Sequence, residues 1–238
     1  MSVDYYKNTV NIFAHTSVPW QQDVLFDFLK KIKAAKNSKI LDAGSGIGNN
    51  IKTLLKFSSD ITAADISKGA LNISKEKING TAVNYALADL HKLFFADNYF
   101  DVVICTEVLE HCANPMQVMS ELKRITKNGG SIVISAPNYF NLAGLYKKIF
   151  EIIFRKNWDA WGTHEGGVEN FMSFHKLRNY FAKLDLKIVE ERGGDLIRSW
   201  TPFFKKYYQF IDKHPFLQIN KKWPFKFMAM NYFCILRK

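Results

Sequence analysis

Seven residues at positions 106–112, TEVLEHC, place Thr106, two carboxylates and an imidazole directly after the apolar run YFDVVI. Glu110 and His111 follow Glu107 by three and four positions, so one helical turn would gather Glu107, Glu110 and His111 on one face. Such a trio can do two kinds of work. A hydroxyl group ionises well above neutral pH, and His111 or a carboxylate can take its proton. Alternatively, two hard oxygens and a nitrogen can hold Mg²⁺, Mn²⁺ or a related divalent cation that stabilises an alkoxide. The same residues also fit a helix cap and a solvated polar turn.

A second constellation lies upstream. In LDAGSGIG, Asp42 is followed by Gly44, Ser45, Gly46 and Gly48. Glycines let a backbone turn sharply and approach a ligand where a Cβ would clash. The spacing is G-x-G-x-G, whereas dinucleotide sites favour G-x-G-x-x-G. Asp65 and Ile66 come about 20 residues on, where an acid can bind ribose hydroxyls. Asp89 and Leu90 close another apolar run.

The elements that must carry these residues are legible. Segments 39–46, 60–67, 82–90, 100–107 and 129–138 read as strands; 21–34, 48–57, 68–78 and 114–125 read as helices, the last with Asn114 as N-cap and Pro115 in the first turn. Alternating βα units with nearly all-apolar strands predict an α/β fold: a doubly wound, mostly parallel sheet covered on both faces. Ligands then bind beyond the carboxyl ends of the strands, where Asp42, Asp65, Asp89 and Glu107 all fall. Runs 186–193 and 231–238 read as a closing pair, making seven strands with an antiparallel last one.

The series Asp42, Gly44–Gly48, Asp65, Asp89 resembles the class I S-adenosylmethionine (AdoMet)-dependent methyltransferases over about residues 37–138. The resemblance implies a Rossmann-like methyltransferase fold with AdoMet as cofactor. It assigns Asp42 and the Gly44–Ser45–Gly46–Gly48 loop to the methionine part, Asp65 and Ile66 to the ribose, and Asp89 with Leu90 to the adenine. Thr106 completes that cofactor set. A nicotinamide-type Rossmann domain is the rival. The E-x-x-E-H run, with G-T-H-E at 162–165, resembles the O-methyltransferases of ubiquinone biosynthesis, which methylate catechol-like polyprenyl phenols. A similar E-x-x-E-H with a downstream histidine occurs in small-RNA 2′-O-methyltransferases, where it holds a metal. The resemblance thus implies Glu107, Glu110, His111 and His164 as ligands of a divalent cation; without a metal, His111 is the leading general base. Cys112, Ala113 and GGVEN after His164 depart from the pattern and bear on the substrate. His175 reads as a surface residue of a helix after Ser173, and His15, His91 and His214 as structural residues without matching partners.

Composition sets the wider frame. A chain of 238 residues with 47% hydrophobic and 15% aromatic residues can bury one large core. The expected organisation is a single domain, 1–238, with an N-terminal helical lid (1–36), the AdoMet-binding core (37–138) and basic aromatic lid insertions at 139–170 and 194–230. Cys105, Cys112 and Cys234 show no metal-type spacing or disulfide framework, and the N-terminal stretch lacks a signal-peptide layout, so a cytoplasmic setting is expected. No apolar run approaches the ~20 residues that span a bilayer.

The net charge is +11, and residues 195–238 contribute +7 together with twelve aromatics. In 142–156 the apolar positions form one broad helical stripe, with Lys147, Lys148, Glu151 and Arg155 expected opposite; PFFKKYYQFI at 202–211 repeats the design. Basic amphipathic helices of this kind fit a lid over the site and a peripheral contact with the inner face of a membrane. Nucleic acid ranks lower, because burial of one helix face accounts for the aromatics without bases. The reading is O-methylation of a hydroxyl on a small or lipid-linked acceptor. Sugar O-methylation in surface-polysaccharide assembly, RNA 2′-O-methylation and a non-catalytic AdoMet-binding subunit stand beside it.

Overall fold

The structure is a computed structural model that describes residues 19–155, 170–194 and 222–238. Its sheet has seven strands: β1 Lys39–Ala43, β2 Asp60–Asp65, β3 Val83–Leu87, β4 Phe100–Thr106, β5 Thr126–Pro137, β6 Lys187–Gly194 and β7 Asn231–Arg237. They lie in the order β3-β2-β1-β4-β5-β7-β6. The first five pair in parallel, and β7 runs antiparallel to both β5 and β6. The expected fold class and antiparallel last strand are therefore present.

Alternation along the strands explains the two layers. Leu41, Ala43, Val103, Cys105, Ile132 and Ile134 point to one face, where α4 (Pro115–Ile125) and α6 (Phe174–Lys183) cover them. Ile40, Ile61, Val102, Ile104 and Val133 point to the other, against Val24, Leu25, Phe28 and Leu29 of α1 (Pro19–Lys31) and Leu54 of α2 (Ile51–Leu54). The helix starts follow capping rules. Ser67, Asn114 and Ser173 accept from Ala70, Gln117 and Lys176 backbone N–H groups at the heads of α3 (Lys68–Lys77), α4 and α6. The region 48–57, expected to be one helix, is regular α-helix only over Ile51–Leu54; left-handed Gly48 (φ +79°) keeps it from starting there, and residues 55–57 continue as turns.

Helix α5 (Leu142–Phe154) departs from the amphipathic expectation. Lys147 is buried at 3% exposure, paired with Glu151 at 3.0 Å and lying 5.4 Å from the Tyr139 ring centre. Leu145, Ile149, Ile152 and Ile153 instead face outward at 47–66% exposure. Gly144 sets this orientation, since a Cβ there would strike the Tyr139 backbone. The second aromatic stripe, 202–211, lies outside the described residues.

Candidate active site

The parallel register stacks Asp42 beside Ala63 and Ile104, Asp65 beside Leu87, and Thr106 beside Ser135, so the loops that follow share one sheet edge. The glycine loop after β1 turns through left-handed conformations at Gly44, Gly46 and Gly48 (φ +76°, +51° and +79°). A Cβ on Gly44 would sit 2.5 Å from Val108 Cγ2, so only glycine lets this loop meet the turn after β4.

Asp42 is 1% exposed. Its Oδ1 accepts from Asn50 Nδ2 at 3.0 Å, while Oδ2 has no hydrogen-bond partner among the described residues. Burial pushes its carboxyl up to about 7, opposed by the Asn50 hydrogen bond and reinforced by the Asp65 charge. Ser45 Oγ is likewise buried and unsatisfied among the described residues. Asp65 accepts from Gly46 N–H and Ser67 N–H, each at 2.8 Å, and burial still holds its carboxyl above the ordinary range. With Ile66 N–H as a third donor the Asp65 carboxylate still keeps acceptor capacity, because it offers about four lone-pair sites. A buried carboxylate with an orphan oxygen invites a cation, and an acid at the next strand end invites hydroxyl donors. AdoMet carries a sulfonium, an ammonium and a ribose diol, so the residues present fit it.

The sequence sets Asp89 with Leu90 at the adenine position and leaves His91 a structural residue without a matching partner. The structure joins Asp89 and His91. His91 Nδ1 lies 2.7 Å from Asp89 Oδ1, which also accepts from His91 N–H, and Asn114 N–H donates to His91 Nε2. That last bond places the neutral ring's proton on Nδ1, aimed at Asp89. His91 therefore ties the end of β3 to the head of α4. The spacing Asp-x-His carries this signal, because a turn can fold such a pair back on itself.

The turn after β4, expected to serve the acceptor, also differs from expectation. Glu107 is left-handed (φ +55°) and precedes the short 3₁₀ turn Leu109–His111, so the trio does not share one helical face. Glu107 accepts from Ser135 Oγ at 2.7 Å and Asn231 Nδ2 at 2.8 Å, which ties its carboxylate to β5 and β7. Glu110 is 2% exposed. Burial, helped by the Glu110 charge, pushes the Cys112 thiol up to about 12. His111 Nε2 is 3.8 Å from Glu110 Oε1. Among the described residues no three His, Cys, Asp or Glu side chains form a metal-holding group, and His164 lies outside them. The expected cation site of Glu107, Glu110, His111 and His164 is thus not assembled by the described residues alone.

Three residues that brace this edge carry no motif signal. Asn170 donates from its backbone and side chain to the Glu110 carbonyl (2.7 and 3.1 Å) and from its side chain to the Cys112 carbonyl (2.7 Å), clamping the acceptor turn. Asn50 bonds both Asp42 and Thr106, and Gln22 bonds Asn50.

A doubly wound sheet in this strand order, with acids at consecutive strand ends around a glycine loop, defines a nucleoside-binding transferase site of the methyltransferase kind. Residues 41–134 match the family described as "Methyltransferase domain". A ubiquinone biosynthesis O-methyltransferase of Hydrogenovibrio crunogenus is 31% identical over 185 residues, covering 76% of this chain and 73% of that protein. One of the same name from Hahella chejuensis is 26% identical over 184 residues, covering 76% and 74%. Among solved structures, a SAM-dependent methyltransferase from Methanosarcina mazei superposes with a TM-score of 0.64 at 16% identity, covering 88% of this chain and 96% of that one. Another from Mesorhizobium loti gives 0.62 at 15% identity, covering 89% and 96%. The chain belongs to the class I S-adenosylmethionine-dependent methyltransferases, and the expectations of fold, cofactor and enzyme class stand.

Proposed function

We propose that the chain transfers a methyl group from AdoMet to a hydroxyl of a small or lipid-linked phenolic acceptor resembling a quinone precursor. The observation that carries this reading is His111 on the turn after β4, backed by the buried Glu110 at 3.8 Å and brought to the glycine loop by the Gly44–Val108 contact. The relatives named for ubiquinone biosynthesis support the acceptor class.

When bound, AdoMet supplies an activated methyl on a positively charged sulfur. The protein's work is alignment and proton removal. Asp42 holds the cationic methionine end, Asp65 with Ile66 the ribose, and Asp89, steered by His91, the adenine beside Leu90. His111 takes the phenolic proton as the oxygen–carbon bond forms and the carbon–sulfur bond breaks. Glu110 then stabilises the imidazolium. Thr106, held by Asn50, shapes the wall between donor and acceptor.

The outward apolar row Leu145, Ile149, Ile152 and Ile153 beside exposed Lys148 and Arg155 supports a peripheral contact with anionic lipid, from which a lipid-tailed acceptor would enter. No helix among the described residues is long and apolar enough to cross a membrane. Labelled AdoMet offered to separated phenolic-lipid, glycan and RNA fractions tests the acceptor. Label is expected in the phenolic lipid, with loss of transfer in His111→Ala. Exclusive labelling of glycan or RNA would overturn the assignment.

A further inference from the structure

Asn50 stands at the head of α2, where asparagine ordinarily turns its side chain back to cap the helix. Here it makes no cap bond. Its amide instead spends both donors across the chain, on Asp42 Oδ1 at 3.0 Å and Thr106 Oγ1 at 3.1 Å. Its Oδ1 accepts from Gln22 Nε2 at 3.0 Å. Gln22 is in turn fixed by Thr53 Oγ1, which donates to its Oε1 at 2.8 Å. Reversing one amide alone would set donor against donor or acceptor against acceptor, and an ionised Asp42 requires the Asn50 amide to face it as donor.

The relay joins four parts of the fold that no sequence motif links: α1, the loop before α2, and the ends of β1 and β4. Helix α1 is itself anchored, with Leu25, Phe28 and Leu29 buried against the sheet. Gln22 is therefore presented from a rigid base. The consequence for Asp42 is directional. One carboxylate oxygen is tied down by Asn50, and the other is left buried without a partner among the described residues.

We propose that Asn50, oriented by Gln22 of α1, is a positioning residue that presents one Asp42 oxygen to the cationic end of AdoMet and registers it against Thr106 at the acceptor turn. The inference rests on the reading of Asp42 as the methionine-end ligand. An isostere shows why the amide is needed: Asn50→Asp would place acceptors against the Asp42 and Thr106 oxygens and repel the carboxylate it should hold.

The test is the pH dependence of AdoMet and S-adenosylhomocysteine binding, followed by calorimetry from pH 5.5 to 8 on wild type, Asn50→Leu and Gln22→Ala. A donor that holds the ionised form of Asp42 sets where binding is lost on acidification. Among the described residues, the other titratable groups that act on Asp42 are Asp65 at the end of β2 and the Cys105 thiol of β4, and both are present in all three proteins. In Asn50→Leu the midpoint should move up by about one pH unit, the equivalent of one hydrogen bond, and in Gln22→Ala by less in the same direction. A purely structural role would weaken binding equally at all pH values, with the midpoint unmoved; that result overturns the proposal. If Asn50→Leu does not fold, Gln22→Ala on the half-buried face of α1 decides alone by the same criterion. Failure of the wild type to bind either nucleoside at any pH would instead overturn the underlying assignment of Asp42.

Discussion

Asp42→Asn separates what the buried acid does for the cofactor from what it does to the fold. In the folded chain, burial raises its carboxyl from 3.8 to about 7, equivalent to about 4 kcal/mol in favour of the neutral form. The sign follows from linkage. The stability that this group contributes is fully present below pH 3.8 and is lost as pH rises through about 7. The amide that replaces the carboxyl would not titrate. Burying it adds a constant penalty of about 1–3 kcal/mol, but the difference between variant and wild type should shift in the variant's favour by up to about 4 kcal/mol between pH 4 and pH 8. For a domain of this size each kcal/mol is worth about 2–4 °C in Tm, so thermal unfolding across that range reads the effect directly. Binding should move the other way. If AdoMet needs the ionised carboxylate, wild-type affinity at pH 6 should be about fivefold weaker than at pH 7, while an α-amino group of pKa about 7.7 stays cationic throughout. The variant should bind weakly with no such slope. Parallel stability profiles for the two proteins, or an AdoMet affinity that keeps its slope in Asp42→Asn, would refute the reasoning.

Four further outcomes are expected. Gly44→Ala should destabilise the fold by about 1–3 kcal/mol and weaken AdoMet binding, since a Cβ would meet Val108 at a left-handed position; denaturant titration and calorimetry check both. Asn170→Ala removes two side-chain bonds to the acceptor turn and should lower kcat severalfold with little change in the KM for AdoMet, in steady-state assays. His91→Phe should weaken AdoMet by about three- to tenfold through loss of the Asp89 contact, and calorimetry with adenosine would show the same loss if the effect lies at the base. Replacing Ile149, Ile152 and Ile153 with serine should abolish sedimentation with phosphatidylglycerol vesicles while sparing transfer to a water-soluble phenol; undiminished sedimentation would argue against lipid contact through α5.

The sheet is legible in the sequence because its five inner strands are largely buried, and continuous apolar runs separated by capped helices admit few arrangements. Asp42, Asp65 and Asp89 could be placed from the sequence because each stands at or just past a strand end, on the edge where sheets of this class bind ligands. The acceptor turn is not. A helical period places Glu107 with Glu110 and His111, but a left-handed Glu107 held by Ser135 and Asn231 breaks that period, and both partners come from distant strands. Lys147 defies its pattern for a related reason: charge predicts exposure unless a partner such as Glu151 and a ring such as Tyr139 receive it. Gln22, Asn50 and Asn170 escape notice because neutral amides act through long-range pairing and leave no periodic trace.

The position of β7 has a consequence for how the chain is made. Asn231–Arg237 slots between β5 and β6, so until those residues leave the ribosome the emerging polypeptide exposes β5 as an open edge and leaves β6 with nothing to pair against. A nascent chain stalled before Asn231 therefore presents two sticky strand borders to its neighbours. Glu107, whose carboxylate takes Asn231 as a donor, acquires that contact only when β7 inserts, so the turn after β4 is completed together with the sheet.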